Sequence, residues 1–172
     1  MQGNQFIIRR MSETDLDIVL KIQSQSYIPF FHESKAVFSE KLKLFPNGCC
    51  IGYLDNDPVA YLFSHPWSQE LIVELDTPLK ALPNNPDCYY IHDLSVSSQF
   101  HRKGIGKKMF SKAKELTIEY HFTKIVLVAV QGSQNFWAKF GFRPIEKPSE
   151  TIKAKLQSYG QGSCVMMMSY SQ

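Results

Sequence analysis

Apolar positions along this chain change their spacing several times, and each change marks an element. Phe6 to Arg10, FIIRR, is a β-rich run that predicts a short strand. In SETDLDIVLKIQSQSY the spacing lengthens, and Leu16, Val19, Leu20 and Ile22 fall close to one face of a helix. Ser12 or Thr14 caps it, with acidic residues crowding the first turn. ESKAVFSEKLKLF predicts a second helix, closed by Pro46, Asn47 and Gly48. CCIGYLDNDPVAYLFSHPW holds two β-rich runs around Asp55, Asn56, Asp57 and Pro58, which predicts a hairpin. Residues 68–86 carry Pro78, Pro83 and Pro86 without clear periodicity; they predict a long loop with at most a short strand.

Beyond that loop a strand ends at Val96, and a helix runs from about Gly104 to Tyr120. KIVLVAV, Lys124 to Val130, is almost continuously apolar, as a strand covered on both faces requires. SQNFWAKF predicts a short helix ended by Gly141, and FRPIE and SCVMMMSY supply the last strands. The order is β-α-α-β-β-β-α-β-α-β-β, which predicts an α/β or α+β domain around a mixed sheet. With no repeat, low-complexity run or linker, one domain is expected over 1–172.

Composition narrows the class. Apolar residues make up 44% and charged residues 20%, which excludes a disordered chain. A formal charge of +3 permits an anionic ligand but does not argue for nucleic acid. Cys49, Cys50, Cys88 and Cys164 form neither a CxxC motif nor a disulfide framework, so free thiols in a reducing compartment are expected. MQGNQFIIRRMSETD lacks the apolar core of a signal peptide, and no apolar run approaches membrane-spanning length. A cytoplasmic protein without membrane contact is expected. His32, His65 and His121 are scattered without ligand spacing, and no metal is expected.

The chemistry concentrates in YYIHDLSVSSQFHRKGIGKKMF, Tyr89 to Phe110, where a strand gives way to two glycines and a helix. The first N–H groups of a helix have no internal partners and carry the positive end of its dipole. Gly104 and Gly106 leave those amides open, and His101, Arg102, Lys103, Lys107 and Lys108 surround them with cations. That combination suits a pyrophosphate. Neither a GxxxxGK[ST] loop nor a GxGxxG fingerprint is present, which disfavours nucleotide P-loops and dinucleotide folds. The competing reading is a glycine-containing connection whose lysines decorate a solvated helix face.

LSVSSQFHRKGIG resembles the signature of the GNAT N-acetyltransferases, a strand, a short connection and [QR]xxGx[GA]; FWAKFGF resembles that family's later aromatic-x-x-x-Gly-Phe segment. Both stand in the family's order with KIVLVAV between them. The resemblance implies a mostly antiparallel central sheet with a splayed central strand, flanked by helices. It implies acetyl-coenzyme A as acetyl donor and a primary amine, on a small molecule or a peptide, as acceptor. The pantetheine arm would pair with Leu94, Ser95 and Val96, and the pyrophosphate would lie on the amides from Arg102 through Lys107, including Lys103, Gly104, Ile105 and Gly106. Two positions depart from the family. His101 stands for its Gln or Arg, and Trp137 replaces its frequent tyrosine. An indole does not supply a phenol's proton, so the usual acid for the leaving thiolate is missing there.

Direct attack needs a neutral amine and donors for the developing oxyanion, and it needs no covalent enzyme intermediate. Strand amides near Leu94 and Val96 are the candidate donors. At period two, Tyr90, His92 and Leu94 share one strand face while Ile91, Asp93 and Ser95 share the other, unless a bulge intervenes. In the resemblance His92 falls where serotonin-acetylating relatives have a histidine, and Tyr90 where histone-acetylating relatives have a glutamate. His92 is the candidate base or a strand histidine with a structural hydrogen bond; Asp93 orients it, binds a cationic substrate or caps a turn. Ser133 and Asn135 open the following helix as caps or as cofactor contacts, and Phe136 and Trp137 pack on the cofactor arm or the core. Tyr159 and Tyr170 are alternative acids. Tyr27, Phe30, Phe31 and Trp67 are candidate substrate walls, and Glu33, Glu70, Glu74 and Asp76 are either attractors of a cationic amine or solvated loop charges. A coenzyme A-binding regulatory module without turnover is the alternative function, and pairing of two copies through a terminal strand is left open.

Overall fold

Residues 5–170 are described by a computed structural model of the chain. FIIRR forms β1 (Phe6–Arg10), and the capped run after it forms α1 (Leu16–Ser26) behind a short 3-10 turn, Glu13–Asp15. Ser12 is the residue that caps: it and Asp15 satisfy each other's backbone donors as a capping box, and Arg9 grips the Asp15 carboxylate at 2.7 Å. α2 (Lys35–Leu44) begins on Ser34, whose hydroxyl accepts the Val37 N–H. The hairpin is β2 (Cys49–Leu54) and β3 (Asp57–Trp67), and β4 (Cys88–Val96) follows the long loop. α3 (Ile105–Glu119), β5 (Lys124–Ala129), α4 (Gln134–Ala138) and β6 (Arg143–Pro144) come next.

One element escapes the period analysis. Glu150–Leu156 forms α5, capped by the Ser149 hydroxyl on the Ile152 N–H and continued by a 3-10 turn to Tyr159. Only Ile152 of this helix is buried, so it carries too little apolar repeat to stand out. Its capping serine, its terminal lysines and Gly160 were the signals available. The chain closes with β7 (Cys164–Ser169).

The strands form one seven-stranded sheet in the order β1-β2-β3-β4-β5-β7-β6, antiparallel except for β4 and β5. This is the mixed, mostly antiparallel sheet flanked by helices that the resemblance implies. Side-chain alternation sends Ala60 and Leu62 to one face, against Ile105, Met109 and Phe110 of α3. Tyr61 and Phe63 go to the other, against Leu16, Val19 and Phe38 of α1 and α2. Full burial of one such large side chain contributes about 2–3 kcal/mol, which holds both layers on β3 and β4. A third cluster packs Ile72, Val73 and Leu79 of the long loop on Tyr90, Val126 and Ile152.

The long loop has no strand, and it is pinned at many points. Glu40 accepts the N–H groups of Leu79 and Lys80, at 2.9 and 2.5 Å. Asp76 receives the Ser34 N–H at 2.7 Å, and Ser158 receives the Leu75 N–H at 3.0 Å. The segment thus becomes a fixed wall over the α1–α2 side of β4.

Candidate active site

Two irregularities of β4 create the site. The parallel pairing with β5 covers Tyr89, Tyr90 and Ile91 and then stops, although β4 continues to Val96 and β5 to Ala129. The strands splay apart. Beyond Ile91 the β5-facing edge of β4 meets side chains instead of a strand. Tyr27 donates to the Leu94 carbonyl at 3.3 Å, while Ser26 and His101 donate to the Val96 carbonyl at 3.0 and 2.8 Å. Ser97 N–H, one residue on, bonds Val59 of β3. By strand alternation the Leu94 and Val96 N–H groups point with their carbonyls into the gap.

The second irregularity is a β-bulge. Opposite β3, Phe63 pairs with Asp93 and Ser64 with Ile91, so His92 has no partner residue. The extra residue corrects the regular two-face reading. Leu94 joins Tyr89 and Ile91 in the cluster on the α3 face. His92 and Asp93, neighbours in sequence, both meet groups from the α1–α2 side.

The gap opens into a cleft of about 810 Å³, within the roughly 300–1,000 Å³ typical of small-molecule sites. The start of α3 forms one end. Gly104 sits at the helix N-cap with φ +75°, a left-handed conformation that L side chains resist. A Cβ on Gly106 would come within 3.0 Å of the Phe136 ring, so glycine there sets how closely α3 approaches α4. Trp137 is packed among Phe110, Phe136 and Phe142, at ring centroid distances of 5.0–6.1 Å. That makes it an aromatic wall.

At the other end lies a buried network that the sequence does not announce. Glu33 is 5% exposed. It receives His92 Nε2–H at 2.5 Å and the Asp76 N–H at 2.9 Å, with the Lys41 ammonium 3.8 Å away. Burial opposes ionisation of Glu33, but His92 and Lys41 outweigh it and hold the carboxyl below its usual range. Burial pushes His92 and Lys41 down, against the pull of Glu33. Burial thus favours the neutral imidazole; with Nε2 donating to Glu33, Nδ1 is the remaining acceptor, and it is buried without a partner. Asp93 accepts Tyr27 OH at 2.8 Å and Tyr61 OH at 2.7 Å. Enclosure by protein, then the nearby Glu33 charge, raises the Asp93 carboxyl to about 7.

The structure brings most of the expected residues to this cleft. His92, Asp93, Leu94, Ser95, Val96, His101, Arg102, Gly104, Ile105, Gly106, Lys107, Ser133, Phe136 and Trp137 line it. Tyr90, Lys103 and Asn135 stand outside its walls. Tyr90 lies under the long loop, where its hydroxyl accepts the Val73 N–H at 3.4 Å. Lys103 rests over the Phe100 ring, and Asn135 is exposed on α4. Ser133 holds the N-cap position, but its side chain makes no capping bond. Tyr27 and Phe31 line the cleft; Phe30 is 55% exposed and Trp67 packs elsewhere. Tyr159 lines the cleft with its hydroxyl committed to the Val73 carbonyl at 2.6 Å. Tyr170 donates to Phe122 away from it.

Sequence reasoning passed over Lys41, Tyr61 and Gln131, and left Glu33 between an attractor of a cationic amine and a solvated loop charge; it is buried. For Lys41 there was a signal: it shares the buried face of α2 with Val37, Phe38 and Leu42, where a lysine needs a partner. Gln131 ties the α1 end to the β5 end across the cleft, through Ile28 N–H at 2.8 Å and the Ser26 carbonyl at 3.1 Å.

With this geometry in view, comparison with known proteins is decisive. The pattern that defines the Acetyltransferase (GNAT) family matches residues 16–142, from α1 through α4. The chain belongs to that family. A relative from Bacillus subtilis (strain 168), the uncharacterized N-acetyltransferase YkwB, is 22% identical over 134 residues, covering 69% of this chain and 58% of that protein. Among solved structures, the loading GNATL domain of CurA from Lyngbya majuscula superposes with a TM-score of 0.78 at 9% identity, covering 96% of this chain and 98% of that one. The PaiA N-acetyltransferase from Thermoplasma acidophilum, solved with coenzyme A, gives 0.68 at 13% identity, covering 96% and 99%. The splay and the glycine-opened helix are thus set in a GNAT fold. Among the described residues of this GNAT chain, no helix is long and apolar enough to cross a membrane. The four cysteines are free thiols.

Proposed function

We propose that the protein transfers the acetyl group of acetyl-coenzyme A to a primary amine by direct attack. The observation that carries this reading is the splayed edge of β4 leading to the open N-terminus of α3. A strand edge without a strand partner offers its backbone N–H donors to an amide-bearing arm, as an added strand would use them. The helix amides behind Gly104 then receive the pyrophosphate, with Arg102 and Lys107 beside them. Gly106 keeps that approach narrow, and Phe136 and Trp137 cover the arm. Leu94 and Val96 N–H groups are placed to stabilise the oxyanion.

His92 takes the proton of the attacking amine in this scheme. Burial favours its neutral form, Nε2 is held on Glu33, and Nδ1 has no partner. That atom is covered in the free protein, so the scheme requires acceptor binding to expose it. The acceptor enters on the side of Tyr27, Phe31 and Leu75.

The test is incubation of the protein with acetyl-coenzyme A and a panel of small amines and amino-terminal peptides, following free thiol. Amine-dependent thiol release is the expected result, with kcat in His92→Ala reduced by about 100-fold or more. Tight coenzyme A binding without amine-dependent release would replace this reading with that of a binding module.

A further inference from the structure

β4 and β5 part after the Ile91–Leu127 pair, so the mouth of the cleft lies between Val96 and Val130. On one face of that mouth stand α3 and α4, brought close at Gly106 and Phe136. On the other face a single side chain bridges it. Gln131 stands two residues past β5, and its amide bonds main chain at the end of α1. Oε1 accepts the Ile28 N–H at 2.8 Å, and Nε2 donates to the Ser26 carbonyl at 3.1 Å. The Ser26 hydroxyl in turn donates to the Val96 carbonyl at 3.0 Å, so the tie runs from one strand end to the other. Gln131 at φ +50° and Gly132 at +71° are consecutive left-handed residues, a turn that a glutamine adopts only at a cost.

The segment that Gln131 reaches is fastened firmly at its base and lightly at its tip. Gln23, buried on α1, holds both the N–H and the carbonyl of Glu33, at 2.8 and 3.0 Å. Between those anchors and Tyr27, none of residues 28–32 is buried, and Ile28, Pro29 and Phe30 are exposed. Phe30 rests its ring beside Gly160. Among the described residues, the Ile28–Gln131 bond is the one hydrogen bond that ties residues 28–32 to a distant part of the chain. A segment with little buried surface and exposed hydrogen bonds opens at low cost.

We propose that Gln131 is a strap over the coenzyme A arm, and that its release sets how fast the cofactor enters and leaves. The proposal rests on the acetyl-transfer reading, which lays that arm in the splay. With the strap closed the arm is ringed. β4 and β5 flank it, Gly106 and Phe136 cover one face, and Ser26 and Gln131 cover the other. Either way out breaks the arm's bonds to β4. Lengthwise exit also draws it through the ring, whereas sideways exit needs only the two exposed amide bonds of Gln131 to open. Such bonds net little against water, so the sideways path is the easier one, and Gln131 closes it.

Stopped-flow mixing with coenzyme A, read by the fluorescence of Trp137 in the cleft wall, tests this without an acceptor. The observed rate against coenzyme A concentration gives the association constant as slope and the dissociation constant of the complex, as a rate, as intercept. Gln131→Asn keeps an amide and tolerates the left-handed backbone, but it is one methylene too short to bridge. Both rate constants should rise by about fivefold or more, with affinity within about twofold of the parent. Gln131→Gly, which removes the side chain and suits the positive φ, should do the same. Rate constants equal to the parent's in both variants overturn the strap and leave acetyl transfer standing. Faster dissociation alone, with a matching loss of affinity, makes Gln131 an ordinary cofactor contact and overturns it too. Failure of coenzyme A to bind the parent protein overturns the acetyl-transfer reading and the strap with it.

Discussion

His92 and Asp93 would leave opposite faces of a regular strand, and the bulge between β3 and β4 is what places them together. Their surroundings then separate their proton affinities. Asp93, raised to about 7, is protonated below that pH and ionised above it. If its proton is used in turnover, kcat at saturating substrates falls as pH rises through about 7. A pH–rate profile of Asp93→Asn should be low and lack that alkaline fall. Glu33 carries a structural duty as well, since it neutralises a lysine that is 2% exposed. Glu33→Ala leaves the Lys41 ammonium without its carboxylate and should cost about 3–5 kcal/mol. Urea denaturation checks the value, and adding Lys41→Met to Glu33→Ala should recover part of the loss.

At the scale of elements, α3 and α4 form one wall of the cleft, and two glycines serve it for different reasons. Gly104 has open space around its Cβ position but a positive φ; Gly106 has an ordinary φ but the Phe136 ring at 3.0 Å. Gly104→Ala should therefore cost about 1 kcal/mol of backbone strain with a modest loss of affinity for coenzyme A. Gly106→Val drives α3 and α4 apart and should weaken that affinity by about tenfold or more while sparing most of the melting temperature. Calorimetry and thermal melts on both variants separate strain from obstruction. The wall opposite is the pinned loop over β4. Its proline-rich sequence predicted irregular backbone, and Glu40, Asp76 and Ser158 supply the hydrogen bonds that hold it.

For the whole molecule, the splay is an interruption of the sheet at its centre, between β4 and β5. Backbone groups without strand partners cost stability when water is kept from them, so a ligand pairing with them should tie the halves together. Coenzyme A at about 100 times its dissociation constant adds about 2.7 kcal/mol. For a chain of 172 residues that corresponds to a rise in melting temperature of about 5–10 °C. A melt with and without coenzyme A measures it, and no rise would contradict a cofactor grip on β4 and α3.

What the sequence determined by itself was local. Periodicity placed the strands, and caps and proline-glycine stops bounded α1 and α2. The pair of glycines after Val96 marked one end of the cleft because a helix start with open amides is a short-range feature. α5 was missed because its single buried residue leaves no period to read. The tertiary structure alone decided the opposite end. Tyr27, Glu33, Lys41, Tyr61, His92 and Asp93 come from five separate segments, and no spacing rule links them. Their protonation follows from burial and from neighbours brought close by the fold, because desolvation and charge act through space rather than along the chain.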